Sequence, residues 1–437
     1  MAGASSERFA PPGAPEGVPR RWSLAAWSCL VVTLASGVFL RVQWTGRLPP
    51  LFDTRFLIHA HSHLALLGWA FIGVFALVFA GSRPTLEAPG PGSGRLAAEG
   101  SFLALVFLLF GAFLMQGYAF WSILLSMLHV CVSLALVGLY VRRRRGSMDE
   151  SARPWLDLSM LWFVAAMLGP FLLALGGRMG QGWVDAWVGY YLTLLFNGWL
   201  TFAVIGLLLQ AGLLHLGRKV REAMALGVLP TTVPPLMAWT EIPLGAWVGW
   251  AGALLFGGGL IVVGLTLLGT GLATWKGESD SASPDPLLAS AAAAFLLCGV
   301  FMVVGTAPPV SSLVFQTRDL FIGFVHLQLL ALVSAVLVLL HYRRAPRFAV
   351  WAFLGGSWSM ICVLLGAGLV QLLGRPIHLP LQELLSGTGA LALAGAVLLP
   401  LAASERAGRG VTCITDTARE KGEISIPSGG TDPAPGN

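Results

Sequence analysis

Runs of about 20 apolar residues recur along almost the whole chain, each long enough to cross a hydrocarbon core of about 30 Å at about 1.5 Å per helical residue. In lipid only helices and closed barrels satisfy their own backbone, and continuous apolar runs, unlike dyad alternation, are helical. Composition agrees: 56% of the 437 residues are hydrophobic and 11% charged, against roughly a quarter charged in an ordinary globular domain. The sequence therefore predicts an all-α, polytopic transmembrane helical bundle in the lipid bilayer.

Helices are expected at about 23–43, 56–80, 97–116, 119–141, 156–176, 186–214, 246–271, 287–307, 318–341, 348–373 and 380–402. Residues 22–402 form the bundle in this reading; 1–21 are a disordered cytoplasmic leader, and 403–437 a polar, disordered tail. Arg20 and Arg21, the run Arg142 to Arg145 with Arg153, and Arg218, Lys219 and Arg221 fall on one side of these helices, as the positive-inside rule requires. Arg343, Arg344 and Arg347 fall on the other. One more crossing between 222 and 318 repairs this, and the proline-rich stretch 223–245 is its place, as a broken or re-entrant segment. Twelve crossings are thus favoured over eleven, with both termini cytoplasmic and the chain integral to the inner (cytoplasmic) membrane. The net charge of +6 lies in these loop clusters and is a topology signal, not a nucleic-acid-binding surface. Five cysteines, with no C-x-x-C, give neither a disulfide framework nor a thiolate metal site. No internal repeat is evident.

Ionisable side chains inside a span are costly and informative. His59, His61 and His63 open the second helix in RFLIHAHSHLALLGW, His129 lies in the fourth and His326 in the late helix FIGFVHLQLLAL. With twelve crossings His63, His129 and His326, together with Asn197 in YYLTLLFNGWLTF, lie in one layer, roughly 10–15 Å below the outer surface. Two histidines facing each other across a bundle can ligate a haem iron axially. His63 with His326 is the expected pair. His59 and His63 share a helix face while His61 points elsewhere, so His61 is the competing first ligand. His59 reads as an interfacial group or a ligand of a second metal, and His129 as a hydrogen-bonded core histidine or a second-site ligand. Asn197, Ser62, Gln328 and Gln116 are candidates to hold the second ring nitrogens.

The histidine string followed by LALLGW, the FNGW helix and HLQLL resemble the catalytic subunit I of the haem–copper oxidase superfamily, the cytochrome oxidases and nitric oxide reductases. The resemblance implies a b-type haem (haem b) held by His63 or His61 and by His326, and work in electron transfer or in oxygen or nitric oxide chemistry, with an electron-donor protein or partner subunits. That family also carries a second late-helix histidine and three copper-binding histidines. Here Asn197 stands where a histidine is wanted, so a full copper site is not expected. NnrS-type haem- and copper-containing membrane proteins have a comparable H-x-H string. Rival readings are a transporter or metal permease with cargo-binding histidines, and a sensor or assembly protein that only holds haem.

Overall fold

The computed structural model describes residues 18, 20–47, 49–81, 93–144, 148–233, 243–276, 285–342, 345–375 and 380–420. Thirteen helices follow in order: α1 (Arg20–Trp44), α2 (Thr54–Ala80), α3 (Ser93–Gln116), α4 (Phe120–Arg143), α5 (Arg153–Ala166, continuing as Gly169–Met179), α6 (Gln181–Gln210), α7 (Arg218–Val228), α8 (Pro243–Lys276), α9 (Pro286–Gly305), α10 (Pro308–Gln316), α11 (Arg318–His341), α12 (Arg347–Leu372) and α13 (Leu381–Glu420). Ten are long and apolar enough to span a membrane, and the apolar stretch Gly100–Gln116 of α3 adds a shorter candidate. The chain is a polytopic helical membrane protein.

Helix starts follow local chemistry. Asp53 Oδ1 accepts the N–H groups of Arg55 and Phe56 (2.8 and 3.3 Å) at the head of α2, and Asp285 accepts that of Leu287 (2.8 Å) at the head of α9, where Pro286 needs no partner. Gly117, at φ +61°, turns the chain between α3 and α4, and a Cβ there would strike the Phe56 ring. In the loop between α4 and α5, Asp149 accepts both the N–H and the hydroxyl of Ser151 (2.6 Å each), which holds its carboxyl below the usual carboxylate range. Its folded value is depressed, so the stabilisation is present above that range and fades as pH falls through the folded value. Amide exchange at Ser151 should therefore accelerate below about pH 4 beyond the intrinsic pH trend, and Asp149→Asn should abolish that extra acceleration.

Three helices form the interior. The apolar windows of α2, α6 and α11 are 83%, 89% and 72% buried, against 28–50% in the other candidate spans. Each contains a π-helical stretch, at Leu64–Ala70, Leu194–Leu200 and Leu327–Ser334. The three run parallel and meet pairwise at those stretches. Trp69 donates to Ser334 Oγ (2.7 Å), Phe71 packs on Trp199 (5.9 Å between rings), and Gln328 Nε2 reaches Asn197 Oδ1 (3.4 Å). A π turn displaces carbonyls from the α-helical ladder, and a buried carbonyl needs a donor. His129 donates Nε2–H to Leu67 O (3.2 Å), Ser159 donates to Trp199 O (2.9 Å), and Ser290 donates to Ala331 O (3.1 Å), one from a neighbouring helix for each stretch. Two of the stretches share a short sequence, HLALL at 63–67 and HLQLL at 326–330.

The stretch expected to supply the extra crossing is described in part. α7 runs antiparallel to α8, with Gly227 against Gly252 and Phe256, and its 3₁₀ extension Pro230–Thr232 brings Thr231 beside Asn197. Residues 234–242, the rest of that stretch, lie outside the described residues. At the far end of α1, Arg41 and Arg318 both lie over the Trp44 ring (4.9 and 5.6 Å), so α11 begins where α1 ends, the relation a crossing between α6 and α8 produces. The last helix, expected to stop near 402, runs on to Glu420, because a helix once nucleated extends at one hydrogen bond per residue. Most of the leader, residues 1–17, and the tail from 421 lie outside the described residues.

Candidate functional site

His63 and His326 each stand immediately before a π stretch. His63 Nδ1 bonds to His59 O, and His326 Nδ1 to Ile322 O, both at 2.8 Å and both four residues back along the same helix. A carbonyl oxygen only accepts, so in both rings Nδ1 carries the proton. The neutral ring then presents Nε2 as a lone pair, the form a metal requires. His61 reaches the same state by another route: its Nδ1 lies 3.0 Å from Thr33 O and 3.2 Å from Ser36 Oγ, both on α1. All three rings are half-buried.

They do not face one way. His63 stacks on Phe113 of α3 (4.0 Å between centroids, 28° between planes), and its Nε2 lies 3.4 Å from the Tyr118 hydroxyl, its nearest donor. His61, two residues earlier, faces α1, where Gly37 leaves room for it: a Cβ at Gly37 would lie 2.9 Å from His61 Cε1. His61 bonds Thr33 and Ser36 of α1, and Arg318, at the head of the helix that carries His326, lies with Arg41 over Trp44 of α1. His63 packs on Phe113 of α3, and His129 packs against Phe71 and Phe102.

The remaining predicted residues have other partners. His59 packs edge-on to Tyr118 (4.7 Å) and gives its carbonyl to His63 and Ser62. His129, 1% exposed, donates Nε2–H to Leu67 O, and Ser133 Oγ, whose hydroxyl donates to His129 O (2.7 Å), lies 3.2 Å from its Nδ1, so the ring is held within the core. Ser62 donates to His59 O (3.1 Å) and Gln116, with its carboxamide oxygen turned to the chain, takes the N–H groups of Trp121 and Ser122. Neither holds a histidine. Asn197 and Gln328 bond each other, and Asn197 also bonds Thr231. Among the described residues no three His, Cys, Asp or Glu side chains form a group that could hold a metal ion.

No protein-family model and no curated protein matches this chain. The site must be read from its own residues.

Arg41 is a buried cation that the sequence alone did not single out. It lies at the C-terminal end of α1, bonded to Gln382 Oε1 (3.3 Å) and stacked on Trp44. Two guanidinium groups on one indole ring make a cationic patch where α1 ends and α11 begins, of a kind that suits carboxylates. Its signal was available: an arginine three residues before the end of an apolar run, where a lone snorkelling side chain is the usual reading.

Proposed function

We propose that this integral membrane protein holds a b-type haem between the Nε2 atoms of His61 and His326 and works in electron transfer within the bilayer. The observation that carries this reading is the pair of pinned rings. Thr33 O and Ile322 O hold the Nδ1 protons, so two Nε2 lone pairs from separate helices are oriented without cost at the moment of ligation. Arg41 and Arg318 suit the two carboxylates that a b-type haem carries, and their positive charge would favour its reduced form. When bound, the haem supplies a one-electron couple. His61 and His326 would together hold the haem, and a haem held by two histidines would supply one-electron transfer in preference to gas reduction. His63, the first choice from sequence, has the right tautomer but lies against Phe113 and Tyr118, and its part is to pack that wall.

The test is the optical spectrum of the detergent-purified protein from haem-replete cells, oxidised and dithionite-reduced. A low-spin b-type spectrum is expected; a colourless protein would remove the haem reading and leave the cargo-binding one. Gly37→Ala tests the His61 assignment more finely. The added methyl meets the His61 ring, so haem content should fall at least twofold or the reduced α-band should shift. A spectrum and haem content unchanged from the parent would argue for His63 instead.

A further inference from the structure

A cavity of about 170 Å³ lies between α6, α9 and α11, and no histidine lines it. Its walls are apolar, formed by Phe196, Phe301, Phe324 and Val325 among others. Its polar floor is made of Asn197, Thr231 and Gln328, and no charged side chain lines it. The rim includes Phe321, 42% exposed, and Thr306 at the end of α9, so the opening faces the end of the bundle where α11 begins.

The floor is a chain of donors that runs one way. Gln328 Nε2 donates to Asn197 Oδ1 (3.4 Å), Asn197 Nδ2 donates to Thr231 Oγ1 (3.4 Å), and Thr231 donates to Val228 O (2.6 Å). Two of these bonds are long, since such bonds cluster near 2.9–3.0 Å. Each carboxamide has two N–H groups and one carbonyl, so the chain leaves one N–H on Asn197, one on Gln328 and the Gln328 oxygen with no partner among the described residues. Turning either amide over breaks its bond to the other and leaves more groups without partners, so the orientation shown is the better satisfied one. Asn197 and Gln328 are 5% and 4% exposed, and buried polar groups left without partners are costly. Apolar packing alone would not place two such groups under a cavity.

We infer that this cavity binds the ring of a quinone or of its reduced hydroquinone, taken from the lipid phase, with a ring oxygen on the Asn197 and Gln328 carboxamides. Volume sets the scale at one ring, because an apolar cavity of about 150 Å³ admits benzene, and the open side at Phe321 leaves room for ring substituents. The uncharged lining selects a neutral ligand. The amides select oxygen and accept either state, since an amide N–H donates to a carbonyl and an amide oxygen accepts from a hydroxyl. The inference does not rest on the haem reading: it uses none of the histidines and is read by direct binding.

Duroquinone and durene, the same tetramethylated ring with and without oxygens, are the probes, measured by equilibrium dialysis against the full chain in detergent. Duroquinone should bind at least tenfold more tightly than durene, and Gln328→Leu should erase that preference while leaving durene binding intact. Equal affinity for the two probes, no binding of duroquinone, or an unchanged preference in Gln328→Leu would each overturn the inference. Should Gln328→Leu fail to purify as a monodisperse species, Asn197→Leu is measured in its place under the same expectations. Thermal stability of each variant and haem content, read on the same samples, keep failure of the fold and failure of the haem reading distinct from failure of this site.

Discussion

With His326 replaced by alanine, the purified protein should carry at least tenfold less haem per chain than the parent, and His61→Ala should do the same. Either change would remove one of the two ring nitrogens proposed to hold the haem and put an apolar side chain in its place. His129→Ala should keep the haem, because that ring donates to Leu67 O and takes no part in ligation; its cost falls on stability, where a buried carbonyl left without its donor costs about 1–3 kcal/mol. His63→Ala is the deciding comparison. If His61 is the ligand, His63→Ala retains haem and loses the stack on Phe113. Haem lost in His63→Ala and His326→Ala but kept in His61→Ala would transfer the axial role to His63. Haem kept in all three would end the proposal.

Gly395→Ala should lower the thermal midpoint of the detergent-solubilised protein by several degrees, and Gly356→Ala likewise. The two glycines sit on opposite members of the α12–α13 pair. A Cβ at Gly395 would fall on Phe353 N and within 2.6 Å of Phe353 Cα, and one at Gly356 would fall on Ala392 N and 2.7 Å from Thr388 O. In each case the obstacle is main chain, which no rotamer change relieves. Small residues let membrane helices approach closely where lipid offers no hydrophobic drive for association, and overpacking such a contact costs about 1–3 kcal/mol. Gly355→Ala and Gly387→Ala, in the same helices with nothing within 4 Å of the added methyl, provide controls; they should hold or raise the midpoint, since alanine favours the helix by about 1 kcal/mol. Tryptophan fluorescence melts read all four. Equal midpoints for both pairs would show that α12 and α13 are not packed backbone to backbone.

The bundle was legible because hydrophobic length is a local property. The expected helix at 318–341 matches Arg318–His341, and that at 287–307 lies within two residues of Pro286–Gly305. The broken stretch after residue 222 was legible from its prolines and from a charge imbalance. What residue type could not reveal was facing. His61 and His63 differ by two positions, about 200° around a helix, and the choice between them depends on Thr33, Ser36 and Gly37 lying opposite one and Phe113 opposite the other, which is a tertiary fact. The π stretches were hidden for a related reason. Moving a hydrogen bond by one residue changes no side chain, so LALLGWA and LLFNGWL have the same hydropathy in either geometry. His129 drew attention as a candidate ligand because its real partner, a displaced carbonyl on α2, leaves no trace in composition.

A π turn amounts to one residue inserted into an α-helix, and about 100° of phase is added to everything beyond it. In α2 and α11 the histidines lie on one side of that insertion and the core-packing leucines on the other, so the two halves of each helix are aimed independently. Deleting a single residue from Leu64–Ala70 would leave the hydropathy of the span almost untouched. It would remove the residue that the π turn absorbs and leave both halves aimed as before, whereas deleting Ser62, outside the turn, would rotate His61 about 100° away from Thr33 with no change in its own codon. In a chain built this way, insertions and deletions inside the apolar runs but outside the π turns carry more consequence than most substitutions there.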